Sequence, residues 1–186
     1  RFHEARVRTE EPVEVVPGAL NTAINNTGGG YIRGIELAYT QTFDFLPGFW
    51  GGLGFSGSYS YTDSNIRQQT DLSGTTVDIT LPGLSDTVYS ATAFYDWINF
   101  STRINVRHRD RFVSEQVAVE TQLAFFNDET VVDYQASYAL SDRLSVLFQV
   151  NNLTDEPTKT YFNQVAQTGT LQFFGRQFFL GMSYSM

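Results

Sequence analysis

Residues able to act on a solute are few in this chain, and their spacing is the first guide to what they do. Arg103 and Arg107 stand four apart in "FSTRINVRHRD", so on an extended segment both project to one side. Glu36, in "RGIELAY", is their acidic counterpart. Such charges can guide a charged solute or bridge one another along a wall. Phe125 and Phe126 offer flat apolar ring faces, able to stack on a sugar or an aromatic chelate, or to pack against neighbouring loops. His3 and His108 are the two histidines, and His108, near the end of an alternating segment, reads as a boundary residue rather than a base. There is no G-x-S-x-G, H-E-x-x-H or P-loop motif and no nucleophile with a paired base, so the reading is not an enzyme and calls for no cofactor. Gly28, Gly29 and Gly30 lack a following Lys and helix, which makes them loop rather than phosphate cradle. Asp71, Asp78 and Asp86 miss the D-x-D-x-D calcium spacing and read as solvated charge, not metal ligands. Asn25, Asn99 and Asn152 each begin an N-x-[ST] triplet, a pattern too common to signify glycosylation here.

The elements that must carry these residues alternate with a period of two. The final stretch, "RQFFLGMSYSM", puts Phe178, Leu180, Met182, Tyr184 and Met186 on one face, with Gln177, Gly181, Ser183 and Ser185 between them. In a strand those two sets point to opposite sides. The same pattern recurs over Tyr31 to Thr42, Gly52 to Asp63, Thr87 to Asp96, Phe100 to Asp110, Thr130 to Leu140 and Leu144 to Asn151. That predicts seven strands, each about the length that crosses a membrane at a tilt. Helical periodicity is almost absent.

Connections of two kinds take turns along the chain. Short ones carry breaker residues, at 44 to 52, 96 to 99 and 141 to 143; long ones occupy 1 to 30, 64 to 86, 111 to 129 and 152 to 175. A soluble sandwich has no reason to keep its long loops at one end, whereas an outer-membrane barrel does. Tyr31, Tyr61, Tyr89, Tyr95, Phe100, Tyr138 and Tyr184 fall near strand ends, as interfacial girdles require. Register supplies an energetic check. With Phe100, Ile104 and Val106 toward lipid, Arg103 and Arg107 face the lumen; a slip of one residue turns both arginines outward, at about 2–4 kcal/mol each near the midplane. The same argument keeps Glu36, Asp133 and Gln149 inside.

Composition agrees. Charged residues make up 17% and aromatic residues 15% of the 186 positions, less charge and more aromatic surface than a soluble domain usually has. No run of about 18 apolar residues exists, so no transmembrane helix is expected, a fact that leaves a barrel open. A net charge of -8 gives nucleic-acid phosphates no basic patch to meet. The absence of cysteine excludes a disulfide scaffold and thiolate metal sites. The opening at Arg1, in mid-pattern and without Met, suggests a fragment that starts within an extracellular loop.

Four stretches carry a resemblance: "GGGYIRGIELAYTQTFDFLPGFWGGLGFSGSYSYTDS" (28 to 64), "LPGLSDTVYSATAFYD" (81 to 96), "NNLTDEPTKTYF" (151 to 162) and "GRQFFLGMSYSM" (175 to 186). Their content and order resemble the C-terminal part of a TonB-dependent receptor, over nearly the whole chain from Gly28. The variety with "FDFLPG" and "LPGLS" is most similar to receptors from bacteria that take up plant-derived carbohydrates as well as iron chelates.

The resemblance implies an all-β, antiparallel up-and-down barrel of 22 strands in the outer membrane of a Gram-negative bacterium. Residues 31–186 would be its last seven strands and residues 1–30 an extracellular loop. It further implies an N-terminal plug, energy from the TonB complex, a small-molecule solute such as an iron chelate or oligosaccharide, lipid around the barrel, and insertion by the barrel assembly machinery. Glu36, Arg103 and Arg107 would then contact the plug, guide solute or bridge along the wall. Gly181, with Tyr184 and Met186 at +3 and +5, resembles the C-terminal assembly signal. It departs from the usual pattern in ending on Met186 instead of Phe and in carrying Phe179 at a usually polar position. A passive porin-like barrel and a soluble β-sandwich carbohydrate-binding module are the alternatives.

Overall fold

The computed structural model describes residues 13–16, 19–21, 29–69, 76–114 and 123–185. Strands β1 (Val13–Val16) and β2 (Ala19–Asn21) pair as an antiparallel hairpin. The strands predicted from alternation all form: β3 (Gly30–Thr42), β4 (Leu53–Gln69), β6 (Thr87–Trp97), β7 (Phe100–Arg109), β10 (Glu129–Ser141), β11 (Leu144–Asn151) and β14 (Gln177–Tyr184). They make one antiparallel sheet in the order β14-β11-β10-β7-β6-β4-β3. Each strand lies beside its nearest long neighbour in sequence, the up-and-down arrangement of a barrel wall. Among the described residues β3 and β14 are the edges of that sheet.

Register puts the predicted apolar faces side by side. Tyr134 of β10 stands opposite Ile104 of β7 and Val150 of β11, and Val150 opposite Phe178 of β14. Leu37 is opposite Tyr59, and Tyr59 opposite Tyr89. All seven end-of-strand aromatics named above up to Tyr184 share this face by register. The face is bare: Leu180 is 77% exposed and Met182 75%. Among the described residues the buried hydrophobic side chains are Ile79, Val113, Val150 and Tyr161. A β-sandwich would lay a second sheet about 10 Å away over one face of this one, and among the described residues none lies over these strands. In water each large side chain so displayed forfeits about 1.5–3 kcal/mol of burial, so the face calls for an apolar medium.

The connections depart from the prediction in detail. The short turns at 43–52, 98–99 and 142–143 all lie at one end of the sheet. The first folds through a 3-10 turn, Gly48–Gly52, closed by the Phe43 amide on the Leu53 carbonyl at 2.9 Å. At the other end the long connections are not plain loops. Strand β4 continues to Gln69 instead of stopping at Asp63, because β5 (Thr76–Ile79) pairs with its extension, Ile66 opposite Ile79. Strands β8 (Phe112–Val113), β9 (Ala124–Phe126), β12 (Thr158–Phe162) and β13 (Thr168–Gln172) form a second sheet in the order β13-β12-β9-β8. Segments of two to five residues carry too few alternations to be recognised as strands.

Candidate functional site

The face opposite the apolar one is polar. Its β3 to β7 half is short-chained and satisfies itself across strands: Thr40 and Ser56 hydroxyls lie 2.9 Å apart, Ser58 and Ser90 2.9 Å, and the Asn105 amide donates to the Thr92 hydroxyl at 2.7 Å. Gly54 leaves room for the Phe94 ring, since a Cβ there would sit 2.2 Å from it. The β7 to β14 half carries long, charged side chains. Arg107 meets Asp133 at 2.9 Å and Arg109 meets Glu129 at 3.1 Å. The Arg109 guanidinium also lies over the Phe112 ring, 4.7 Å from its centroid.

Where this charged half reaches the loop end of the sheet, a cleft of about 280 Å³ opens. Arg107, Glu129 and Asp133 form one side, Asn151 and Gln177 continue it, and Glu156 and Phe174 come from the connection between β11 and β14. Asn152 holds that connection in place. Its backbone N–H donates to Asp133 Oδ1 at 3.0 Å, and its side-chain amide donates to the carbonyls of Glu156 at 3.0 Å and Gly175 at 3.4 Å. Its side-chain oxygen accepts the Glu156 N–H at 2.8 Å. The residue sits at φ +55, in the left-handed region that Asn tolerates better than most. Gly175, at φ +73, turns the chain back toward β14. Arg176 adds a 2.8 Å bond from Nε to the Leu153 carbonyl.

The structure brings one of the sequence-selected residues into this cleft. Arg107 lines it; Arg103, four residues earlier on the same face, is about 13 Å down the strand and has no ion-pair partner among the described residues. Glu36 shares the polar face but lies three strands from β7, about 14 Å away, also unpaired among the described residues. Phe125 and Phe126 fall on β9 and are engaged there: Phe125 stacks on Tyr161 at 5.1 Å and Phe126 on Phe112 at 4.9 Å. Gly181 faces the polar side opposite Leu147, and Tyr184 the apolar side opposite Leu144. Met186, His3, Asn25 and Asp71 lie outside the described residues. Asp78 is in an exposed pair with Arg67 at 3.0 Å, and no group of acidic or histidine side chains among the described residues could hold a metal ion.

His108 is on the apolar side at the loop end. One ring nitrogen lies 2.7 Å from the Thr130 hydroxyl and the other 3.2 Å from Asp110, while the ring stacks on Tyr89 at 4.7 Å. Asp110, just past β7, is held below its ordinary carboxylate range mainly by a hydrogen bond with the Thr87 side chain, then by His108 and Arg111, with burial opposing.

Sequence reasoning missed Asn152, Glu156, Phe174 and Gln177. The signals were present in "NNLTDEP" and in "FFGRQ", where Asn and Gly mark positions free to adopt positive φ; what they could not disclose was that the two stretches meet.

No curated protein and no solved structure matches the chain. A family does, over residues 8–153, and it is described as TonB dependent receptor-like, beta-barrel. That stretch takes in the sheet from β3 through β11, whose alternating faces, bare apolar side and one-ended long connections are those of an outer-membrane barrel wall. The chain belongs to the TonB-dependent receptor-like β-barrel family, whose barrels serve transport in the outer membrane.

Proposed function

We propose that this chain is the C-terminal wall, residues 31–186, of an energised outer-membrane importer, preceded by an extracellular loop over residues 1–30. In this reading the barrel has 22 strands and encloses an N-terminal plug. A scarce solute, an iron chelate or an oligosaccharide, enters from the loop end, and the TonB complex supplies the energy through the plug. The observation that carries the reading is the two-faced sheet: one side bare and apolar, the other polar, with Arg107 and Arg109 ion-paired on it. A wall of that kind separates lipid from a wet lumen. The long, partly folded connections at one end support a solute-facing mouth there.

The test is uptake of labelled ferric citrate and of labelled maltotriose by cells producing the receptor, with and without a working TonB complex. Accumulation above diffusion that disappears with the complex is the expected result. Accumulation indifferent to the complex would instead make the protein a passive, porin-like barrel. Neutralising Arg103 and Arg107 to Gln is expected to change the uptake rate while leaving barrel yield intact, because exposed ion pairs contribute only about 0–1 kcal/mol.

A further inference from the structure

Resting on the importer reading, we propose that the cleft beside β10, β11 and β14 is a subsite for a neutral, hydroxyl-rich solute, a short oligosaccharide, with Phe174 as its stacking platform. Charge is the first argument. Arg107, the cation in the cleft lining, is matched by Asp133 at 2.9 Å, and the lining carboxylate Glu129 is matched by Arg109 at 3.1 Å. Glu156 adds a further acidic group with no ion-pair partner among the described residues. An anionic chelate would have to compete with Asp133 for Arg107 and would sit beside Glu129 and Glu156, carboxylates that repel it. A hydroxyl asks for no such exchange, because it can donate to a carboxylate already bound to arginine.

The second argument is the kind of polar group on offer. Gln177 has a side-chain amide with no partner among the described residues. Asn151 accepts from Gln149 at 2.7 Å, which leaves its NH2 free to donate. Planar amides and guanidinium–carboxylate pairs present donors and acceptors side by side, the arrangement that neighbouring hydroxyls on a ring can meet in both senses.

Phe174 supplies the third. It is 64% exposed, lines the cleft, and makes no aromatic contact among the described residues, whereas Phe112, Phe125 and Phe126 are all stacked. Its position is fixed from behind, since the next residue, Gly175, is tied by its carbonyl to Asn152. A large apolar ring held in the open beside amides matches the apolar face of a sugar, with the amides left for its hydroxyls. The cleft volume of about 280 Å³ suits a small part of a ligand, at the low end for small-molecule sites.

The experiment is binding to the full-length receptor purified in detergent, without energy, followed by saturation-transfer NMR. The probes are maltotriose, xylotriose and cellotriose as neutral sugars, trigalacturonate as an anionic sugar, and ferric citrate as an anionic chelate. Saturable binding of at least one neutral trisaccharide is expected, weakened about tenfold in Phe174→Ala and weakened in Gln177→Ala. Phe173→Ala, one residue away and outside the cleft lining, should leave binding unchanged. The proposal is overturned by preferential binding of trigalacturonate or ferric citrate, by no binding of any neutral probe, or by binding indifferent to Phe174→Ala. Sugar binding without TonB-dependent uptake would sink the importer reading alone; TonB-dependent uptake of ferric citrate without sugar binding would sink this subsite alone.

Discussion

Asn152 makes three side-chain hydrogen bonds and one through its N–H, and together they join β10, the turn after β11 and the approach to β14. Asn152→Ala removes the side-chain bonds and leaves at φ +55 a residue that tolerates the left-handed region less well than Asn, so it should cost about 2–4 kcal/mol. Asn152→Gly loses the same bonds without the backbone penalty and should cost less. Thermal unfolding in detergent and protease cleavage between residues 152 and 175 would show the order; equal losses in the two variants would refute the strain component. Asp110 makes a different prediction. Its carboxyl is depressed below its ordinary 3.8, so the folded state holds on to the charged form and gains stability above that pH, a gain lost as pH falls through the folded value. Asp110→Asn should therefore be less stable than the wild type near neutrality, with the difference closing below about pH 4. A urea midpoint gap that stayed constant from pH 7 to pH 3 would contradict this.

For the strands, the decisive property is which face each position occupies. Ala136 and Gln135 are neighbours in the middle of β10, yet Ala136 lies in a row with Phe148 and Leu180, while Gln135 lies in a row with Arg103, Gln149 and Phe179. Ala136→Arg is expected to destabilise the barrel by about 2–4 kcal/mol, as an arginine toward lipid near the midplane does. Gln135→Arg should change stability by less than about 1 kcal/mol, since its side chain stays wet. Urea unfolding from lipid vesicles measures both, and a larger loss at position 135 would invert the assignment of the faces. The short strands at the loop end follow another rule. Strands β8, β9 and β12 are joined by stacking of Phe112 on Phe126 and of Phe125 on Tyr161.

At the scale of the whole molecule the open question is insertion. Residues 181 to 186 resemble the assembly signal of outer-membrane barrels, and Gly181 is not required by packing: a Cβ there would meet Leu147 at an ordinary 3.9 Å, with φ outside the left-handed region. Truncating the receptor before Tyr184 should abolish the heat-modifiable, folded form in membranes. Gly181→Ala should leave the stability of the folded barrel unchanged, so any loss of assembly in that variant reports recognition and not folding. Normal levels of heat-modifiable protein in the truncation would end the idea that this segment is the signal.

Alternation in the amino-acid sequence was enough to determine the seven long strands, their two faces and the division into short and long connections. Each depends on a period of two repeated over many residues, which is a local property, and on arginines that lipid cannot accommodate. Tertiary structure decided what sequence spacing could not: that Arg107 enters a cleft and Arg103 does not, and that Phe125 and Phe126 are occupied by Tyr161 and Phe112. It also set Phe174 beside Gln177, Asn151 and Asp133. These groups come from β10, β11, the connection after it and β14, and they meet because sheet register and a few hydrogen bonds around Asn152 bring distant positions together. The short strands of the loops escaped for the same reason, since two to five residues hold too little periodicity and their pairing partners lie far away in the chain.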